Sequence, residues 1–284
     1  MEIVIISGKG GTGKTTVVAA LSELAEKVMK VDCDVDAPNL YLFYKGTDIE
    51  KRTFYGGKKA KIKEILCTSC GICDEVCKFG AIKNSTIDSF YCEGCGACTI
   101  VCPQHAVQLE DEKTADTFIT KTDHGMISRA TMGIGSDGSG KLVTNLRKNA
   151  KQFVKDEQIT ILDSSPGIGC SVIASITGAD VALIVTEPTK SGLDDLKRII
   201  ELSMHFDVQV IICVNKFDIN PDMTKLIEEY AREKNLIVVG KIPFDKTVME
   251  SVNALKPITE YKNSSAKKAI EEMWIRMKSL AGKE

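Results

Sequence analysis

Eleven cysteines stand in this 284-residue chain, and eight of them fall in two runs of identical spacing. Cys67, Cys70, Cys73 and Cys77 follow C-x2-C-x2-C-x3-C; Cys92, Cys95, Cys98 and Cys102 repeat it, now followed by Pro103. Aligning CTSCGICDEVCKFGAI with CEGCGACTIVCPQHAV also matches Gly71 with Gly96, Val76 with Val101 and Ala81 with Ala106. The block is therefore an internal duplication, and its halves should share one small core. Three thiolates on a tight loop can take three corners of a 4Fe–4S cube, while a fourth at the start of the next turn reaches a second cube. Structural zinc is the competing chemistry, but it favours two CxxC pairs separated by a longer loop. The spacing predicts two 4Fe–4S clusters.

The pattern resembles that of bacterial two-cluster ferredoxins. Crosswise ligation then gives cluster one to Cys67, Cys70, Cys73 and Cys102, and cluster two to Cys92, Cys95, Cys98 and Cys77. Glycines inside each run leave backbone N–H groups free to donate to cluster sulfurs. Lys78 stands where the first run lacks its proline, which leaves the ligand count unchanged. A module this small has little apolar core, so the metal could act as a structural staple. The resemblance to ferredoxins favours a redox role.

A different chemistry lies upstream. Gly8 to Thr15, within ISGKGGTGKTT, fits G-x4-G-K-[ST] between a β-branched run, EIVIIS, and a helix expected from about Lys14. Glycines let the backbone curl so that successive N–H groups face phosphates at a helix N-terminus. Gly8, Gly10, Gly11, Thr12, Gly13 and Thr16 would form that cradle, Lys14 would reach the β/γ-phosphates, and Thr15 would ligate Mg2+. A second glycine-rich stretch, SDGSGKLV at 136–143, lacks this spacing and reads as a helix entry.

The elements that must position these groups have a βα rhythm. KVMKVDCDVDAPN gives a strand ending at Asp32 and Asp34, and QITILDSSPG gives one ending at Asp163. Carboxylates at the C-terminal ends of parallel strands sit on the edge where nucleotides bind. Asp163 thus reads as the carboxylate that holds Mg2+ through water; for each aspartate the alternative is a helix cap or turn. VALIVTEP and VQVIICVNK alternate with helical patterns at LDDLKRIIELSMHF and MTKLIEEYAREKN. The fold class is α/β, a mostly parallel sheet with helices on both faces, carrying an inserted small α+β module.

GKGGTGKTT carries an additional lysine, Lys9, near its start, and in this the chain resembles the deviant Walker A ATPases of the MinD/ParA/Mrp/nitrogenase iron protein superfamily. Over its whole length it resembles those that contain an inserted ferredoxin domain. The resemblance implies a nucleotide-sandwich homodimer formed on ATP binding, in which Lys9 reaches the partner's phosphates. It implies that Asp34 orients the attacking water, that Asp32 lies near Mg2+, that Asn215 bonds adenine, and that Pro243 to Asp245 lie beside the base. It also implies ATP hydrolysis with Lys9, Lys14, Asp34 and Asp163 as the catalytic set.

The insertion, 58–112, interrupts an ATPase domain of 1–57 and 113–284. YGGKKAKIK and LEDEKTAD, which flank it, read as exposed connections. Cys170 lies seven residues after Asp163 and invites comparison with a cysteine of the nitrogenase iron protein that holds a subunit-bridging cluster. One such thiolate per chain is half of what a bridging cube needs, and the alternative is a small buried residue at a helix start. Cys33 and Cys213 fall in strand patterns and read as core. Ile270, Met273, Trp274, Met277 and Leu280 form one stripe of a C-terminal helix, expected to pack on the sheet rather than on a membrane.

With 43% apolar residues and a net charge of −2, the chain gives no electrostatic reason to expect nucleic acid or an anionic membrane as partner. It shows no signal-peptide pattern and no apolar run long enough to span a bilayer, so it is expected to be cytoplasmic, where thiols serve as ligands more often than as disulfides. The leading expectation is an ATPase that couples nucleotide to electron transfer or cofactor assembly at an unidentified redox or assembly partner. The alternative is a positioning ATPase whose clusters are structural or redox-sensing.

Overall fold

The computed structural model describes residues 1–136, 139–154 and 158–280. The chain opens with β1 (Glu2–Ile6), α1 (Lys14–Leu24), β2 (Val28–Cys33), a 3-10 turn at Leu40–Phe43 and the long β3 (Gly46–Ile62). The cysteine runs lie around α2 (Ile72–Val76), β4 (Ile82–Lys83), β5 (Thr86–Ile87) and α3 (Ala97–Val101). Then come β6 (Val107–Thr122), β7 (Gly125–Met132), α4 (Gly140–Lys151), β8 (Thr160–Ser164), α5 (Cys170–Ile176) and β9 (Val181–Thr186). The chain ends with α6 (Lys190–His205), β10 (Gln209–Asn215), α7 (Pro221–Glu233), β11 (Ile237–Ile242), α8 (Lys246–Asn253) and α9 (Ser265–Leu280).

These elements divide into two compact units, one of Arg52–Asp116 with a short segment from Met132, the other of the rest of the chain. The larger unit is built on a sheet of order β11-β10-β9-β1-β8-β2-β7-β6-β3. The pairings from β11 through β10, β9, β1, β8 and β2 to β7 are all parallel. Ile3 to Ile6, Ile161, Leu162 and Ala182 to Val185 are buried, as expected of strands covered on both faces. One register decides the chemistry: Asp32 of β2 lies directly beside Asp163 of β8.

α9 packs against this unit through Ile270, Met273, Trp274 and Met277, all buried, whereas Leu280 is 42% exposed, so the stripe stops a turn earlier than its spacing implies. Contact is close enough that a Cβ on Gly240 of β11 would lie 2.6 Å from the Met273 sulfur. Cys33 and Cys213 are buried strand residues whose thiols burial pushes up to about 12, leaving them inert. The stretch at 136–143 does lead into a helix: Ser139 caps α4 by accepting from Leu142 N at 3.3 Å, while Asp137 and Gly138 lie outside the described residues.

The smaller unit has a core of Ala60, Ala81, Ile82, Val107 and three cysteines, Cys73, Cys92 and Cys98. The flanking stretches, expected as connections, are corrected to strand: YGGKKAKIK, apart from its last residue Lys63, belongs to β3 and LEDEKTAD to β6. Opposite charges explain this, since Lys58 faces Asp111 at 3.5 Å, Lys59 faces Glu112 at 3.6 Å and Lys61 faces Glu110 at 3.2 Å.

Candidate nucleotide site and cysteine cavities

In the larger unit one cavity opens at the C-terminal ends of β1, β2, β8 and β10. Lys9, Gly10, Gly11, Thr12, Gly13, Lys14, Thr15 and Thr16 line it, with Asp34 and Asn215. Gly11 and Gly13 hold φ of +80° and +86°, and a Cβ at Gly13 would lie 2.4 Å from Asn215 Nδ2. The curl therefore needs glycine twice over, for its dihedral and for its neighbour. Gly8 packs instead against Asp195 of α6.

The charges beneath the loop are tightly balanced. Lys14 Nζ pairs with Asp163 Oδ1, and the two side chains are 6% and 1% exposed. Asp32, 1% exposed, accepts from Asp34 N at 3.3 Å and Leu40 N at 3.2 Å. Burial, and then the neighbouring Asp163, push its carboxyl well above the usual range. Half-buried Asp34 is raised too, by burial, with Lys14 opposing. Two adjacent buried carboxylates sharing one lysine are short of positive charge, so the donor set suits a hard divalent cation between β2 and β8. Thr12 Oγ1 is buried on the cavity wall without a hydrogen-bond partner, as a group awaiting a phosphate oxygen would be.

Other expected site residues make specific contacts within the chain. Asn215 donates to Thr12 O at 2.7 Å and accepts from Lys216 N at 3.0 Å, so its amide braces the phosphate loop. Pro243 and Asp245 do not line the cavity; Ile242 does. Asp245 caps α8 through Thr247 N at 2.9 Å and also takes Ser264 Oγ at 2.7 Å and Ala266 N at 3.2 Å at the start of α9. Burial alone would raise its carboxyl, but these donors outweigh it and hold it well below the usual range. Lys9 Nζ lies 3.4 Å from Glu187 and 3.4 Å from the Thr189 and Ser191 hydroxyls. Cys170 begins α5 but is exposed, which corrects the buried alternative.

Sequence reasoning missed Asp36, Asn39, Lys216, Met249, Val252 and Asn253, which also line the cavity. The D-x-D-x-D run from Asp32 was a usable signal for Asp36. Nothing local marks Met249, Val252 and Asn253, which reach the site only because α8 folds over it.

In the smaller unit the eight cysteines line two cavities. Cys67, Cys70 and Cys73 line the first with Cys102, and Cys92, Cys95 and Cys98 line the second with Cys77. Backbone donors approach the sulfurs: Ser69 N to Cys67 at 3.4 Å, Ala106 N to Cys102 at 3.3 Å and Ala60 N to Cys92 at 3.4 Å. Gly71 and Gly96, both at φ near +80°, start α2 and α3. Among the described residues no three His, Cys, Asp or Glu side chains converge on a point where one ion would sit.

Among solved structures, the septum site-determining protein MinD complexed with Mg-ADP from Pyrococcus horikoshii superposes with a TM-score of 0.59 at 19% identity, covering 99% of this chain and 97% of that one. This likeness shows a MinD-like fold. In sequence, the chain is 34% identical to an uncharacterized protein of Methanocaldococcus jannaschii, over 98% of this chain and 96% of that one. It is 26% identical to an uncharacterized ATP-binding protein of the same organism, over 87% of each. It is 23% identical to the septum site-determining protein MinD of Thermotoga maritima, over 97% and 87%. The profile of the CobQ/CobB/MinD/ParA nucleotide binding domain matches residues 3–258. With that match across nearly all of a sheet whose strand ends carry the phosphate loop and its two aspartates, the chain belongs to the CobQ/CobB/MinD/ParA nucleotide-binding family.

Proposed function

We propose that this protein is a Mg2+-dependent ATPase carrying two 4Fe–4S clusters in an inserted ferredoxin-like module, 58–112, within an ATPase domain of 1–57 and 113–284. Nucleotide-driven dimerisation is coupled to electron transfer or to metal-cofactor assembly at a partner protein. The observation that carries the reading is the crosswise lining of the two cysteine cavities, three thiols from one run and one from the other in each. Disulfide chemistry would pair thiols two by two, and zinc would draw four onto one point; neither needs this exchange. Clusters held by Cys67, Cys70, Cys73 and Cys102, and by Cys92, Cys95, Cys98 and Cys77, would supply one-electron redox capacity.

The chain's own groups divide the ATPase work. Loop N–H groups and Thr12 would bind phosphate oxygens, while Thr15, Asp32 and Asp163 would hold Mg2+, which would supply charge neutralisation. Lys14 and Asp163 pair directly beneath the loop. A phosphate would give Lys14, and a divalent cation would give Asp163, a partner of opposite charge, so this buried pair could separate without stranding a charge. Asp34 lies on the cavity wall where it can hold a water by its carboxylate. A second reading, a positioning ATPase, is favoured by the similarity to MinD proteins.

The test is purification and reconstitution without oxygen, followed by iron and acid-labile sulfide analysis and an EPR redox titration with no nucleotide, with MgADP and with a non-hydrolysable ATP analogue. The expected result is iron and sulfide for two clusters per chain, with a nucleotide-dependent shift of about 59 mV or more, a tenfold coupling for one electron. Zinc in place of iron would overturn the cluster assignment. Full iron with potentials indifferent to nucleotide would favour the positioning reading.

A further inference from the structure

Next to the nucleotide cavity the chain carries a side-chain junction that phosphate binding does not explain. The segment holding Asp34, Asp36, Ala37 and Asn39 lines the cavity and runs into the 3-10 turn Leu40–Phe43. Leu40, fully buried, gives its N–H to Asp32, so the turn is tied to the carboxylate pair under the phosphate loop. The next residue, Tyr41, lies 4.9 Å from the guanidinium of Arg129 on β7.

Arg129 ties down three further groups. Its Nη2 reaches both oxygens of Asp48 on β3 at 2.9 Å, and its Nε donates to Thr120 Oγ1 of β6 at 3.0 Å. Thr120 Oγ1 donates in turn to Asp48 at 2.5 Å, and the Phe118 ring lies 4.4 Å from the guanidinium. With 14% of its side chain exposed, Arg129 holds both charges of this pair in a geometry that a lysine, a point charge without the planar fork, cannot reproduce.

We propose that Arg129 is the positioning residue through which nucleotide in the cavity biases β3 and β6, the two strands whose continuations, from Arg52 and up to Asp116, belong to the cysteine-bearing unit. The proposal rests on the reading above only in that a nucleotide occupies the cavity. The links run without a gap from the cavity-lining segment through Tyr41 and Arg129 to β3 and β6. Movement of the Asp34–Asn39 segment displaces Tyr41, and Tyr41 cannot leave Arg129 without changing how the guanidinium meets Asp48 and Thr120.

The experiment is hydrogen–deuterium exchange with mass spectrometry on the full anaerobic protein, with and without Mg2+ and a non-hydrolysable ATP analogue, alongside calorimetry of nucleotide binding. In the wild-type protein, amides of residues 52–62 and 107–116 should change exchange rate on nucleotide addition by roughly fivefold or more, the lower end of ordinary allosteric coupling. Arg129→Gln should still bind nucleotide yet lose that change, and Arg129→Lys should not restore it. Asp48→Asn breaks the same junction from the other side and serves if Arg129→Gln does not fold. A response that survives in both Arg129→Gln and Asp48→Asn overturns the relay, as does a wild-type protein that binds nucleotide while these strands stay silent. Failure to bind nucleotide at all would sink both this proposal and the ATPase reading, and calorimetry tells the cases apart.

Discussion

At the scale of single residues, the most exacting test is Lys30, a fully buried lysine in the middle of β2. Its ammonium donates to His124 O at 2.7 Å and sits 4.4 Å from the Tyr44 ring. Burial lowers its pKa to about 8, with Glu23 opposing. A folded pKa below the unfolded value means that the unfolded chain binds more protons between about pH 8 and 10.5, so stability rises with pH across that window. In urea unfolding, wild type should therefore gain about 2–3 kcal/mol relative to Lys30→Met between pH 7.5 and 10.5, a few pKa units at 1.36 kcal/mol each. Parallel pH profiles would refute the burial. The residue alphabet marked the lining of the nucleotide cavity at 9–16 and of the two cysteine cavities because both are recognised by local spacing. Lys30 was invisible, since a lysine within a strand reads as an edge or surface position until the partners that bury it are known. Asp245 was legible as an aspartate after IPF, but its use in capping two helix starts depends on Ser264 and Ala266, some twenty residues on.

At the scale of elements, the βα rhythm identified β1, β2, β8, β9 and β10, because strands buried on both faces are continuous apolar runs and need no partner to be recognised; the parallel strands β7 and β11, whose runs are interrupted by Arg129 and by Gly240 and Lys241, were missed. β3 and β6 were harder. Their charged, glycine-containing sequences look like linkers, and only the facing of one basic against one acidic strand makes them a pair. α9 was read correctly as a core helix apart from its last turn. Trp274, 5% exposed, is the test of that reading. Trp274→Ala should cost about 3–5 kcal/mol, the range for large aromatic truncations in a core, read as a lowered urea midpoint. Because the apolar stripe faces protein, wild type should also leave anionic vesicles unbound in a flotation assay. No helix of the described residues is long and apolar enough to cross a membrane. Vesicle binding lost in Trp274→Ala at unchanged stability would reverse the assignment and bring the positioning reading forward.

At the scale of the whole molecule, what matters is where Lys9 spends its charge. In the single chain it faces Glu187, 14% exposed, which also holds Lys216 of the cavity wall. Lys9 is one-third exposed, so this restraint is worth little, on the order of 1 kcal/mol or less. A γ-phosphate presented by a second subunit is a stronger and drier site for a cation, and the exchange of Glu187 for that phosphate would make dimerisation depend on ATP rather than ADP. Light scattering with Mg2+ and a non-hydrolysable ATP analogue should then report a doubled mass for wild type and a monomer for Lys9→Ala, with nucleotide affinity in the monomer retained. Hydrolysis by Lys9→Ala should fall about 10²–10³-fold, the usual loss when one preorganised donor to a developing charge is removed. A Lys9→Ala protein that still dimerised and hydrolysed ATP would confine this lysine to its own chain, and the coupling of nucleotide to the cysteine unit would have to operate within one subunit.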